Sequence, residues 1–145
     1  MFRVYCKDLE CYPKRANVTD AGLDLRAAED YIVTQDSVTK VHTGIHIEIP
    51  QGWAGFIYPR SGLATNHGLY LANSTGVIDC DYRGEIICAM RLHNSMEAYE
   101  IKKYERIAQL VIMPVWVGIL ENVDELYKLS DTERGEGGFG HTGKH

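Results

Sequence analysis

The sequence predicts a single all-β domain, a sandwich or barrel with at most one or two short helices. Apolar residues alternate with polar ones or run in short blocks, turn-forming residues recur between the blocks at intervals of roughly ten residues, and few stretches carry a helical period. A chain of 145 residues, 45% apolar and 24% charged, has the size of one ordinary domain and enough apolar surface for a core.

Taken in order, Leu23 and Leu25 bracket Asp24 and mark a first strand, with Asp24 and Arg26 on the face opposite the leucines. That arrangement suits a surface ion pair or the outer support of a metal site. Ile45, Ile47 and Ile49 alternate with His46 and Glu48 in a second strand, and Ile86–Leu92 and Ile107–Met113 read as two more. Turn signals fall at Gln51-Gly52, Asn66–Gly68, Asn73–Gly76, Tyr82–Gly84 and Asn94-Ser95. Helix is expected only as one or two turns after Ser61 and, weakly, over Glu121–Leu129.

No basic region followed by a long apolar stretch occupies the first twenty residues, and the longest apolar run, Leu110–Leu120, is broken by Pro114 and Gly118. Neither a signal peptide nor a membrane span is expected. The four cysteines, Cys6, Cys11, Cys80 and Cys88, show no metal spacing and need form no disulfide framework, so a reducing compartment is expected: cytoplasmic, or nuclear in a eukaryote, and not secreted. The six histidines form no metal cluster and read as structural or surface residues. A net charge of −5 without a basic block argues against a duplex nucleic-acid surface. A polyphosphate ligand would have to be attracted locally, by a few arginines and a divalent cation.

Four segments carry chemistry. Arg60-Ser61-Gly62 combines a cation, a hydroxyl and glycine-exposed backbone, which suits an anion site or an ordinary surface turn. In Gly76-Val77-Ile78-Asp79-Cys80-Asp81-Tyr82-Arg83-Gly84-Glu85 the apolar pair runs into an acidic, aromatic turn. This reads as a hairpin with Asp79 at its mouth, holding a small planar ligand by backbone hydrogen bonds while the carboxylate faces water, or as a solvated loop. Gln109, in an otherwise apolar strand, is an odd residue to bury without a hydrogen-bonding purpose.

The fourth segment, Arg134–His145, contains both Gly135-x-Gly137-x-x-Gly140 and Gly138-x-x-x-x-Gly143-Lys144. Neither fingerprint fits. A dinucleotide loop needs a βαβ unit around it, and a Walker loop needs Ser or Thr where His145 stands. With glycine at five of the ten positions 134–143, the segment is entropically expensive to fix, about 1–2 kcal/mol per residue, which a bound ligand would offset.

In this order, AGLDLRA, PRSGLA, GVIDCDYRG, ERIAQL and RGEGGFGHTG resemble the five motifs of the trimeric all-β deoxyuridine triphosphate nucleotidohydrolases, the dUTPases. The resemblance spans Ala21 to Gly143. It implies a distorted jelly-roll or β-clip barrel over residues 1–133 with a Gly-rich C-terminal arm, 134–145, that acts as a flexible lid. It further implies a homotrimer with sites at subunit interfaces and Mg2+-dependent cleavage of dUTP to dUMP and pyrophosphate, limiting uracil incorporation into DNA and supplying dUMP.

By the same resemblance, Asp79 activates the attacking water, Tyr82 packs under the deoxyribose where a 2′-hydroxyl would clash, and Asn73 with the backbone of Gly76, Val77 and Ile78 reads uracil. Asp24 orders water around the metal. Arg60, Ser61, Gly62 and Gln109 lie by the phosphates. Arg134 grips the γ-phosphate, Phe139 stacks on the base, and Gly140, His141 and Thr142 follow along the phosphates. Two departures stand out: Lys103-Tyr104 replaces a common Pro-Gly, and Asp20 replaces a small residue, adding a negative charge that weakens nucleotide binding if it points inward. The alternatives are a related dCTP deaminase, whose cytosine-polarising residues form no recognisable group here, or a dUTPase fold with an added regulatory protein-binding role.

Overall fold

The structure, a computed structural model, describes residues 2–93 and 97–138. Eleven strands are assigned among them: β1 (Arg3–Cys6), β2 (Leu23–Arg26), β3 (Tyr31–Thr34), β4 (Thr39–His42), β5 (Ile45–Glu48), β6 (Trp53–Pro59), β7 (Leu69–Leu71), β8 (Gly76–Ile78), β9 (Ile87–Leu92), β10 (Ala98–Ile101) and β11 (Arg106–Pro114). One helix, α1 (Ser61–His67), lies between β6 and β7.

The strands form four open antiparallel sheets instead of one closed ring: β2-β11-β6-β8, β4-β9-β7, β1-β5 and β3-β10. They enclose one apolar core, in which Leu25, Ile57, Ala108 and Leu110 of the four-stranded sheet meet Val41, Leu69, Leu71 and Met90 of the three-stranded sheet. Alternation sets which side chains enter. In β2 Leu25 is fully buried while its neighbour Asp24 keeps access to solvent, and in β5 Ile45 and Ile47 are buried on either side of His46.

The helix forms where expected. It ends at Gly68, whose left-handed φ of 66° lets its N–H reach Ala64 and Leu63 carbonyls, the usual glycine stop. The Asn66–Gly68 turn signal is therefore a helix terminus. The weaker helix over Glu121–Leu129 is not present: only Leu126–Lys128 make a single 3-10 turn. Asn122 and Val123 are poor helix residues, and Leu126 and Tyr127 remain exposed, so no apolar face is buried to stabilise a helix there.

The expected hairpin through Asp79 also gives way. β8 pairs with β6 in the four-stranded sheet, whereas β9 pairs with β4 and β7 in the three-stranded one, so the segment between them crosses from one sheet to the other. After β11 the chain leaves the body as an arm that exposes Trp116, Ile119 (95%) and Leu120 (85%). The four cysteines are free thiols, and among the described residues no helix is long and apolar enough to cross a membrane.

Candidate functional site

A cleft of about 380 Å³ is lined by Asp24, Arg60, Ser61, Gly62, Arg106 and Gln109. Strand register explains the grouping, because Asp24 lies opposite Gln109 and Gln109 opposite Tyr58, two residues before Arg60. The Asp24 carboxylate, 16% exposed, receives Arg60 Nε on one oxygen and Arg106 Nη1 on the other, both at 3.2 Å. Arg26, the partner expected along the strand, instead donates to the Tyr104 carbonyl at 2.7 Å. Gln109 is the residue opposite Asp24; Arg106, paired in register with Arg26, reaches the carboxylate diagonally, and Arg60 reaches it from beyond the end of β6.

Gln109 has the purpose its position demanded. Its Nε2 donates to the Pro59 carbonyl at 3.1 Å, just ahead of Arg60, and its Oε1 lies against Gly22, where any Cβ would sit 2.6 Å from it. It thereby ties the Asp24 strand to the Arg60 turn. Ser61 and Gly62 open α1 with no side-chain cap, and the space where a Gly62 Cβ would stand is empty to 4 Å. Asp20 also lines the cleft, but its carboxylate accepts the Asn17 backbone N–H at 2.8 Å and the Asn17 amide at 3.3 Å.

Arg106 is the residue the sequence reading missed. Its signal was a charged side chain at the start of an apolar strand; it pairs in register with Arg26, beside a bulge between Arg106 and Ala108, and its guanidinium reaches across to Asp24.

A second cleft, of about 240 Å³, contains Asn73, Gly76, Val77, Ile78, Asp79 and Tyr82, with Glu85 and Ile87 on its wall. The Asn73 turn is tight: Thr75 N–H donates back to the Asn73 carbonyl at 2.7 Å, and Ser74 takes a left-handed φ of 63°. Such a conformation in a non-glycine residue costs about 1–3 kcal/mol and persists where its surroundings hold it. Gly76 lets β8 approach β6, since a Cβ would stand 3.2 Å from that of Ile57. Asp79 and Val77 are exposed at the mouth, and the Tyr82 ring folds back over Gly84.

The two clefts do not merge on one chain. Asp24 and the position of Asp79 are three strand spacings apart across the sheet and four residues apart along it, which sets them roughly 20 Å from each other. Arg134 lies in a separate turn, its Nε donating to the Gly137 carbonyl at 2.8 Å, while Phe139, Gly140, His141 and Thr142 lie outside the described residues, as does the Asn94-Ser95 turn.

Among the described residues no three His, Cys, Asp or Glu side chains could hold a metal ion. His42 Nδ1 meets Glu85 at 2.8 Å and His46 Nδ1 donates to the Arg83 carbonyl at 2.9 Å. Burial pushes the Glu85 carboxyl up, but the bonds from His42 and Gly44 and the nearby histidine charges outweigh it, leaving the group below its ordinary value. With Asp24 paired to two cations, a divalent ion in the first cleft fits only as one carried by a ligand's phosphates and reached by Asp24 through water.

Comparison with known proteins shows the family. The dUTPase family model matches residues 11–143. The chain belongs to the dUTPase family. It is 50% identical over 124 residues to the deoxyuridine 5′-triphosphate nucleotidohydrolase of Nautilia profundicola, covering 86% of this chain and 84% of that one. The dUTPase of Staphylococcus bacteriophage 80alpha, solved with dUPNHPP, superposes with a TM-score of 0.84 at 29% identity over 99% of this chain and 98% of that one. A mutant dUTPase of phage phi11 of S. aureus, which coordinates a structural Mg(II) ion, gives 0.77 at 25% identity over 87% and 98%. In this dUTPase-family chain Arg60, Ser61, Gly62 and Gln109 line one cleft and Asn73, Asp79 and Tyr82 another.

Proposed function

We propose that the chain hydrolyses dUTP to dUMP and pyrophosphate, in a site completed between subunits of a homotrimer. The observation that carries this is the division of labour between the clefts: one offers arginines and open backbone to phosphates, the other offers Asn73, the Gly76–Ile78 backbone and the Tyr82 ring with Asp79 at its mouth. A nucleotide needs both at once, and roughly 20 Å separates them on one chain. A second copy would bring the halves together, and the exposed arm carrying Trp116, Ile119 and Leu120 is the kind of apolar surface a partner subunit covers.

In this reading Asn73 and the backbone of Gly76–Ile78 hold uracil by its polar edge, and Tyr82 lies under the sugar. Asp79 orients a water and takes its proton as the oxygen attacks the α-phosphorus. The α–β bridging bond breaks and pyrophosphate leaves with the bonding electrons. Arg60 and the Ser61-Gly62 backbone bind phosphate oxygens, and Gln109 holds the Arg60 turn in place. Arg134 adds a cation for the γ-phosphate, with Phe139, Gly140, His141 and Thr142 closing over the nucleotide as part of a lid, 134–145.

A triphosphate brings about four negative charges, more than the cleft arginines balance once Asp24 is counted, so Mg2+ is the expected cofactor. When bound, it neutralises phosphate charge, and Asp24 would hold it through water.

The test is pyrophosphate release from dUTP, UTP, dTTP and dCTP with and without magnesium, beside light scattering for mass. Turnover of dUTP alone, magnesium-dependent, by a particle of three chains is expected. Ammonia from dCTP, or full activity of a monomer, would sink the reading.

A further inference from the structure

The turn joining β4 to β5 grips the segment that follows Asp79, and no step of the proposed reaction uses that grip. Glu85 is its centre. One carboxylate oxygen accepts the Gly44 backbone N–H at 2.8 Å, and the other accepts His42 Nδ1 at 2.8 Å. One residue on, the Ile86 N–H donates to the Ile45 carbonyl at 2.8 Å, and Thr43 Oγ1 donates to the Ile86 carbonyl at 2.6 Å. Two residues before Glu85, the Arg83 carbonyl accepts His46 Nδ1. Five successive residues, His42 to His46, therefore each bond to positions 83–86.

The inner side of the same segment holds the Tyr82 ring. The Tyr82 hydroxyl donates to the Glu85 carbonyl at 2.9 Å, and the ring lies over Gly84 so closely that a Cβ there would stand 2.3 Å from the hydroxyl oxygen. The ring can lie there only because residue 84 has no side chain, and it is tethered to the backbone of the residue whose carboxylate the β4–β5 turn clamps. Tyr82 itself is 42% exposed, so packing alone does not fix its angle. Strand pairing holds the clamp rigid on its far side, β4 against β9 and β5 against β1.

We propose that Glu85, held by His42 and the Gly44 N–H, is a positioning residue that sets the Tyr82 ring against the sugar and thereby the discrimination between deoxyribose and ribose. This rests on the reading of Tyr82 as the ring beneath the deoxyribose. A loosened clamp lets the ring retreat and admits a 2′-hydroxyl. The reacting atoms are untouched, so selectivity moves more than the dUTP rate.

The experiment measures kcat/KM for dUTP and for UTP by pyrophosphate release in wild type, Glu85→Ala, Glu85→Gln, His42→Ala and Tyr82→Ala, with Tm for each. Glu85→Ala is expected to lower the dUTP/UTP ratio at least tenfold, within the range of about 10–200-fold that a small change in a binding pocket commands. Glu85→Gln, which still offers Gly44 an acceptor, should recover most of the ratio at a similar Tm to Glu85→Ala, as a purely stabilising role would not. His42→Ala, at an exposed position, should lower the ratio about threefold, roughly 0.7 kcal/mol, and carries the test alone if Glu85→Ala does not fold. If Tyr82→Ala relaxes selectivity while the Glu85 and His42 variants leave the ratio unchanged, the clamp is overturned and the Tyr82 reading stands. If Tyr82→Ala also leaves the ratio unchanged, both fall.

Discussion

Arg106 Nη1 stands 3.2 Å from Asp24 Oδ2 across the β2–β11 pair, and Arg60 Nε stands 3.2 Å from the other oxygen. The carboxylate is thus oriented from two sides before any ligand arrives. Arg106→Gln removes one of these cations from a site that is still partly solvated, so the stability loss should be small, about 1 kcal/mol or less. The loss of orientation and of one positive charge should raise KM for dUTP roughly tenfold, about 1.4 kcal/mol. Steady-state kinetics beside a thermal melt checks both; an unchanged KM would remove Arg106 from the site.

Asp79 faces solvent at the mouth of the second cleft. Asp79→Asn keeps the shape and removes the base. Turnover should fall by about 10²- to 10⁴-fold while a non-hydrolysable dUTP analogue still binds, measured by calorimetry. A variant with wild-type turnover would reassign the base.

Gly22 is matched to Gln109. In Gly22→Ala the new methyl would sit 2.6 Å from Gln109 Oε1, forcing the amide off the Pro59 carbonyl. Destabilisation of about 1–3 kcal/mol is expected, with weakened phosphate binding. Because both residues act through one contact, Gly22→Ala should cost less in a Gln109→Ala background, and denaturant melts of the four combinations measure that coupling. Strict additivity would show that the contact is incidental.

Tyr99 donates its hydroxyl to Glu105 Oε1 at 2.7 Å, and burial first, then Glu105, pushes its pKa up to about 12. The folded state holds this proton more tightly than the unfolded chain, whose tyrosine loses it near about pH 10. The contribution is therefore complete below about pH 10 and lost as pH rises towards about 12. The stability difference between wild type and Tyr99→Phe should shrink over that window, and tyrosinate absorbance should show one group titrating late. A difference that stays constant through the window would disprove the linkage.

The turn at Lys103-Tyr104 shows how far sequence carries and where it stops. The substitution of the family's Pro-Gly is visible in the chain. Its consequence is not: Tyr104 occupies φ 71°, a glycine conformation, and is held there by its N–H to Ala27, its hydroxyl to Asp8 at 2.7 Å and Arg26 on its carbonyl. The bond from Tyr104, ahead of that to the Glu10 N–H and the nearby Lys103 charge, holds the Asp8 carboxyl below its ordinary range. These partners lie far away in sequence, so local pattern contains no trace of them.

Strands such as β3 and β7 were likewise unmarked, because Tyr31-Ile32-Val33 and Leu69-Tyr70-Leu71 are unbroken apolar runs without the apolar–polar alternation that marks β2 and β5.

By itself the sequence determined the all-β class, the strands around Leu23, Ile45, Ile86 and Ile107, the helix after Ser61, and, Arg106 apart, the polar residues singled out in both clefts. Those features rest on local chemistry: alternation, glycine at a helix end, a polar residue where an apolar one is expected. Tertiary structure alone decided that Asp24 pairs with Arg60 and Arg106 in place of Arg26, that β8 and β9 part into different sheets, and that Glu85 is held from the β4–β5 turn. Each of these depends on which strands share a sheet and in what order, because pairing gathers residues that are far apart along the chain.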